Sequence, residues 1–319
     1  MTCHNCKIET VKAGRGRNDV QRWKCQQCGK RFSEPREKPF GTDVRLPKET
    51  VVRILHCLVE GNSVRGTARL CGVEKRTVIT MLKLAGENSE RILTEKIHNV
   101  KVQDSLELDE VWTYVGCHQK RLTPERIAKG MIGDAYTFIC LERSTKLVMA
   151  WHLGKRDRLN TEDFVSKIRW ATAPGRFGVS TDGFQPYETA IDAGLYDRAN
   201  HAAVVKMFST VTQVVPESYR PAKFVSVGKD AISGNPDLDR AGTSHVERKN
   251  GTLRQWCKRL TRLTYAYSKS WENLRAALAL HFAHYNLCRI HGSLRVTPAM
   301  AAGVADHVWS ISELLETAE

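Results

Sequence analysis

No uninterrupted apolar run in this sequence approaches the roughly 18 residues that a membrane-spanning helix needs. The opening 20 residues are polar and contain cysteine, so they do not read as a secretory leader. A cytoplasmic location without a membrane partner is therefore expected. There is no internal repeat. Six of the ten cysteines (Cys57, Cys71, Cys117, Cys140, Cys257, Cys288) show no pairing pattern. Most sit in apolar surroundings, as buried free thiols do, which fits a reducing compartment. Acid is also scarce: 35 Asp+Glu stand against 49 Lys+Arg, a net charge of +14 over 319 residues. The deficit is uneven. Residues 1–86 hold 18 Lys+Arg and 8 Asp+Glu, a net of +10, which leaves +4 for the other 233. A basic end on a nearly balanced body points to a nucleic-acid-gripping end and a separate working domain. The length suggests two or three domains.

What is present begins with the other four cysteines. Cys3-His4-Asn5-Cys6 and Cys25-Gln26-Gln27-Cys28 are two C-x-x-C knuckles with 18 residues between them. Four thiolates in this two-plus-two spacing can surround one Zn²⁺ tetrahedrally, the ligand pattern of a zinc ribbon over 1–34. The alternatives are two disulfides or a redox C-x-x-C. Neither knuckle sits between a strand and a helix, the context a thioredoxin-like motif requires.

A breaker-rich linker, Pro35 to Pro47, leads into three helical patterns. Val51 to Val59 has apolar residues at helical spacing. Asn62-Ser63 is an N-cap for Val64 to Leu70. A Cys71-Gly72-Val73 turn precedes Thr77 to Leu84. Helix, Gly-containing turn, helix is the helix-turn-helix plan, assigned to 48–86. Its recognition helix would present Lys75, Arg76, Thr77 and Thr80 near its N-terminal end, where base edges are read. A purely structural helical bundle is the alternative.

Residues 100–290 change character. Strand patterns at Leu106 to Val115, Thr137 to Glu142 and Leu147 to Gly154 precede a helix at Asn160 to Thr172. A strand at Arg176 to Thr181, a helix around Tyr187 to Ala193 and a strand at Ala202 to Met207 follow. The order predicts an α/β domain with a mixed sheet. Phe208 to Gly242 reads as irregular. Thr243 to Leu263 and Trp271 to Leu287 read as long helices. Thr297-Pro298 starts a last helix within a C-terminal helical tail, 291–319.

Three carboxylates stand out by position. Asp109 lies within the first strand, Asp182 just past the carboxyl end of a later strand, and Glu247 in the first turns of a long helix. Three carboxylates at one edge repel one another unless cations join them, and hard oxygen ligands suit Mg²⁺ or Mn²⁺. Two such ions clamp the attacking and leaving oxygens of a phosphodiester. At about 100° per residue, Arg254 and Lys258 return to within about 20° of Glu247, where they would hold a DNA backbone. Asp109 shares its strand face with Glu107, whereas Glu110 points the other way, so Glu110→Gln is expected to be mild. An ordinary amphipathic surface helix and a paired strand Asp are the bland alternatives.

ELDEVWTYVG (Glu107 to Gly116), STDGFQPYE (Ser180 to Glu188) and HVERKNGTLRQWCKRL (His245 to Leu260) together resemble the catalytic core of DDE transposases of bacterial insertion sequences. The likeness is to the InsA–InsB type, in which a zinc ribbon and a helix-turn-helix precede the catalytic part. YNLCRIHGSLRVTPA (Tyr285 to Ala299) resembles a tail found in integrase-like transposases. The resemblance implies an RNase H-like fold and makes Asp109, Asp182 and Glu247 the metal-binding triad, with Arg254 the basic residue after it. It implies binding to double-stranded DNA, both element ends and target, by a homo-oligomer. It also implies cleavage of the ends and transfer of a 3′-hydroxyl. This chain departs from the type in being one continuous frame and in the 34-residue stretch Ser209 to Gly242, which has no assigned role. A metal-dependent nuclease of the same fold and an inactive DNA-binding regulator are the competing readings.

Overall fold

The structure is a computed structural model. It describes residues 1–16, 20–34, 39–41, 44, 46–128, 132–208 and 224–316. The chain divides into two compact units, Met1–Lys48 and Glu49–Glu319.

The first unit is built on a three-stranded antiparallel sheet, β1 (Val11–Arg15), β2 (Gln21–Lys24) and β3 (Arg31–Ser33), in that order. Trp23 pairs with Phe32 across β2 and β3. Among the described residues of 1–34, only Cys3, Thr10 and Cys25 are buried. A sheet this small has almost no apolar core, so its thiols carry the burial.

The second unit opens with α1 (Lys48–Val59), α2 (Val64–Cys71) and α3 (Lys75–Lys96). Ser63 caps α2, its Oγ accepting from Gly66 N at 3.1 Å. Gly72 closes it in the left-handed region at φ 64°, a conformation that glycine adopts without a Cβ penalty. α3 runs 22 residues, straight through residue 86, where the sequence places the end of the helix-turn-helix. Its second half packs on a later helix so closely that a Cβ at Gly86 would fall on Ala276.

Next come β4 (Ser105–Val115), α4 (Pro124–Ile127), β5 (Gly133–Glu142), β6 (Val148–Gly154), α5 (Arg158–Ala171), β7 (Phe177–Thr181), α6 (Pro186–Leu195), β8 (Ala199–Phe208) and β9 (Phe224–Ser233). They form one mixed six-stranded sheet in the order β6-β5-β4-β7-β8-β9. β4, β7 and β8 are parallel; β5 is antiparallel to β4 and β6, and β9 to β8. This mixed α/β architecture is compatible with an RNase H-like core. Phe138 packs on Phe164 of α5, and Phe164 on Tyr187 of α6, on one face.

The other face carries α7 (Ser244–Trp256) and α8 (Trp271–Ala283), with Trp151 of β6 packed on Phe282. α8 runs into a π-helical turn, His284–Cys288, and α9 (Pro298–Ala301) follows. The end of the chain returns to α3, where Asn88 Nδ2 donates to Leu314 O at 2.7 Å.

Three expectations are corrected. The stretch read as irregular contains β9. Its exposed edge position removes the apolar alternation that marks a half-buried strand, and the middle of the strand reads Gly228-Lys229-Asp230. Residues 209–223 of that stretch lie outside the described residues. α7 stops at Trp256, because Cys257 turns extended at φ −101°, ψ 95°. The segment 291–316 holds one four-residue helix and one 3₁₀ turn, Glu313–Leu315, instead of a helical tail.

Candidate functional site

β4 continues past the point where β7 ends. The parallel register pairs Glu107 with Ser180, so Asp109 and Asp182 come level across the gap. Asp109 faces α7, where Asn250 Nδ2 donates to its Oδ2 at 2.7 Å. Glu110 faces the opposite side, toward Tyr187 of α6, as strand alternation requires. Yet oxygens of Asp109, Glu110 and Asp182 all lie within 4.8 Å of one another. Because β7 ends there, side chains from both faces of β4 reach the same opening. Glu110 therefore belongs to the cluster, and its expected remoteness is corrected.

Burial pushes the Asp109 carboxyl up to about 6, and Asp182 and Glu247 add to the rise. Burial pushes Glu110 up to about 7, with Asp182 adding to it and Tyr187 and Arg156 opposing. Glu110 Oε1 is buried and makes no hydrogen bond. These are carboxylates short of positive charge. Arg156 supplies part of it, with Nε 3.2 Å from Glu110 Oε2 and Nη2 3.5 Å from Asp182 Oδ2. Its guanidinium lies 3.9 Å over the Phe184 ring.

Glu247 stands outside that 4.8 Å group. It pairs with Lys206 of β8 and accepts from Thr243 Oγ1 at 2.7 Å. It is close enough to Asp109 to raise that carboxyl. The start of α7 is fixed by Glu107, which is 1% exposed. Glu107 Oε2 accepts from His245 N at 2.8 Å and Val246 N at 3.0 Å, and Oε1 bonds His245 Nδ1 at 2.7 Å. A buried strand carboxylate thus holds the helix N-terminus and favours its positive dipole end. Arg254 Nη1 donates to Trp112 O at 3.4 Å, and its charge is felt at Asp109. Lys258 lies in a 3₁₀ turn, Lys258–Leu260, beyond the end of α7. The expected shared helix face of Glu247, Arg254 and Lys258 therefore reduces to the first two.

The donor set fits hard divalent ions: at least three carboxylates in one opening, one with an unsatisfied buried oxygen. Sequence reasoning assigns no role to Asn250, Arg156, Lys206 or the Glu107–His245 pair. Asn250 is findable, three residues after Glu247 on the same helix. Arg156 and Lys206 carry no sequence signal, since only the fold brings them to the acids.

Within the first unit, Cys3, Cys6, Cys25 and Cys28 bring their sulfurs within 4.8 Å of one another, with Cys3 and Cys28 3.7 Å apart. The two knuckles repeat one geometry. Cys3 N donates to Ile8 O and Lys7 N to Cys3 O; Cys25 N donates to Lys30 O and Gly29 N to Cys25 O, all at 2.9–3.0 Å. Lys7 and Gly29 sit at the same step with φ of 54° and 71°. Hydrogen bonding to Cys28, burial and the nearby Cys25 push the Cys6 thiol up to about 12. Four thiols gathered this tightly suit a Zn²⁺ ion, which deprotonates and joins them. At the start of α3, Lys75, Arg76 and Thr80 are exposed and Thr77 is half-buried. No helix among the described residues is long and apolar enough to cross a membrane.

No family model and no curated protein matches the sequence. Among solved structures, a piggyBac transposase synaptic complex with hairpin DNA, determined by cryo-electron microscopy, is similar at 12% identity over 88% of this chain and 72% of that chain, with a TM-score of 0.34. At that TM-score the two chains are not shown to share a fold, and the functional reading rests on the residues.

Proposed function

We propose that this chain is a DNA transposase of the DDE type, with a zinc ribbon and a helix-turn-helix that bind element ends. The observation that carries the reading is the gathering of Asp109, Glu110 and Asp182 at the end of β7, under the α7 segment that bears Glu247. Divalent ions held there would stabilise the entering and departing oxygens of a phosphodiester. Asp109 and Asp182 are the primary ligands in this reading, and Glu247 completes the set once released from Lys206. Asn250 and the Glu110 amide orient Asp109, with hydrogen bonds of 2.7 and 2.8 Å. Glu107 and His245 hold α7, and therefore Glu247, in register. Arg254 sits where it can steady a phosphate. Cys3, Cys6, Cys25 and Cys28 would hold Zn²⁺, and Lys75, Arg76, Thr77 and Thr80 would read the ends. A homo-oligomer on DNA and the InsA–InsB type rest on the sequence resemblance.

The test is a strand-transfer assay with Mg²⁺ and duplexes carrying the DNA that flanks the gene. Joined products support a transposase. Cleavage without joining assigns the chain to metal-dependent nucleases, and end binding without either assigns it to regulators.

A further inference from the structure

The tail motif beginning at Tyr285 takes no part in the carboxylate cluster. Its first half instead walls a cleft of 520 Å³ whose opposite wall is α7. That volume is typical of ligand sites. Arg248 and Lys249 face the cleft from α7, Arg289 from the turn after α8, and Lys146 from the β5–β6 turn. No Asp or Glu lines it. Among the described residues, no carboxylate forms an ion pair with Arg248, Lys249 or Arg289.

Two of these cations are held by the fold. Lys249 is 3% exposed, bonds His281 Nε2 at 3.0 Å and lies 3.3 Å over the Tyr285 ring. Arg289 lies 3.9 Å over the Trp256 ring. Arg289 is half-buried, whereas Lys249 is buried without a counter-charge, which disfavours its charged form, and a bound anion offsets that cost. At about 100° per residue, Arg248, Thr252 and Gln255 sit about 80–140° around α7 from Glu247, and Trp256 and Lys249 about 180–200°. The cleft therefore lies on the flank of α7 turned away from Glu247, outside the carboxylate centre.

We propose that this cleft binds the phosphodiester backbone of a DNA strand passing along the flank of α7 turned away from Glu247, with Arg248, Lys249 and Arg289 on phosphates and Trp256 and Ile290 against sugar or base. The assignment rests on the DNA-processing reading above. In it, the tail motif serves to present Arg289 opposite α7.

The full-length chain is titrated, without Mg²⁺, with a labelled 12-nucleotide single strand over a range of salt. Arg248→Gln and Arg289→Ala should each weaken binding about tenfold and flatten the salt slope by about 0.7. Lys101→Ala, which removes an exposed charge outside the cleft, should leave affinity within about twofold. A benzophenone side chain replacing Gln255 should crosslink the strand. Folded variants that bind like the parent, or absence of the crosslink, overturn the proposal. A mononucleotide or inorganic phosphate that displaces the strand with equal affinity overturns it in favour of a free anion. None of these readouts needs catalysis. A chain that crosslinks at Gln255 yet never joins DNA keeps the cleft and sinks the transposase reading. One that joins DNA while both variants bind normally does the reverse.

Discussion

At the scale of single residues, the proposed chemistry rests on the acids at the end of β7. Asp109→Asn, Asp182→Asn and Glu247→Gln should each reduce cleavage and joining by about 100-fold or more, since misplacing a reacting centre by an ångström costs that much. End binding in a gel-shift assay should stay at parental affinity. Strand parity alone makes Glu110→Gln a mild change. With Glu110 sharing the opening with Asp109 and Asp182, it should instead weaken Mg²⁺ binding by about tenfold in calorimetry. A variant with unchanged Mg²⁺ affinity would return Glu110 to a structural role.

The same residues predict a pH dependence. Asp109 and Glu110 have folded values raised to about 6 and about 7, so between roughly pH 4 and 7 the folded chain holds protons that the unfolded chain has released. Stability of the metal-free carboxylate centre should therefore fall as pH rises through that window. Mg²⁺ binds the ionised forms and should cancel the decline. Thermal melts at pH 4.5 and 7.5, with and without Mg²⁺, check the sign. A melting temperature that rises with pH in the absence of Mg²⁺ would contradict it.

At the scale of elements, α7 is positioned by Glu107 more than by its own sequence. Thr243 precedes the helix but makes no cap to its backbone N–H groups; its hydroxyl goes to Glu247. Glu107→Ala would leave His245 N and Val246 N without an acceptor inside the protein. It should cost roughly 2–4 kcal/mol in denaturant titrations and also lower activity, because Glu247 is on the loosened turn. Glu107→Gln keeps one acceptor oxygen and should recover most of the stability. Equal losses in both variants would mean that charge, not hydrogen bonding, fixes the helix.

For the whole molecule, the two units differ in what holds them together. The second has a deep apolar core, from Ile54 and Leu55 of α1 to Phe138 and Phe164 around the sheet. The first has its buried side chains at Cys3, Thr10 and Cys25 among the described residues of 1–34. Removing zinc from the full chain with a chelator, or introducing Cys25→Ser, should abolish amide protection across β1–β3 and leave the melting of residues 49–316 nearly unchanged. The parent should contain one Zn²⁺ per chain by elemental analysis. Protected strands in a zinc-free chain would show that the sheet needs no metal.

The sequence by itself determined what local chemistry can determine. The thiol spacing, the Ser63 cap, the Gly72 turn, the strand over Ser105–Val115 and the α5 helix all follow from residues within a few positions of one another. Asp109 and Asp182 were legible because a strand and a strand end place them. Tertiary structure decided the rest. It ended α7 before Lys258, paired an exposed β9 that lacks a periodic signature, and brought Arg156, Lys206 and Glu107 to partners 26 to 138 residues away. It also let Glu110 reach an opening that exists only because β7 stops where β4 continues. Each of these depends on which surfaces meet, and charge pairing between distant segments leaves no trace in local periodicity.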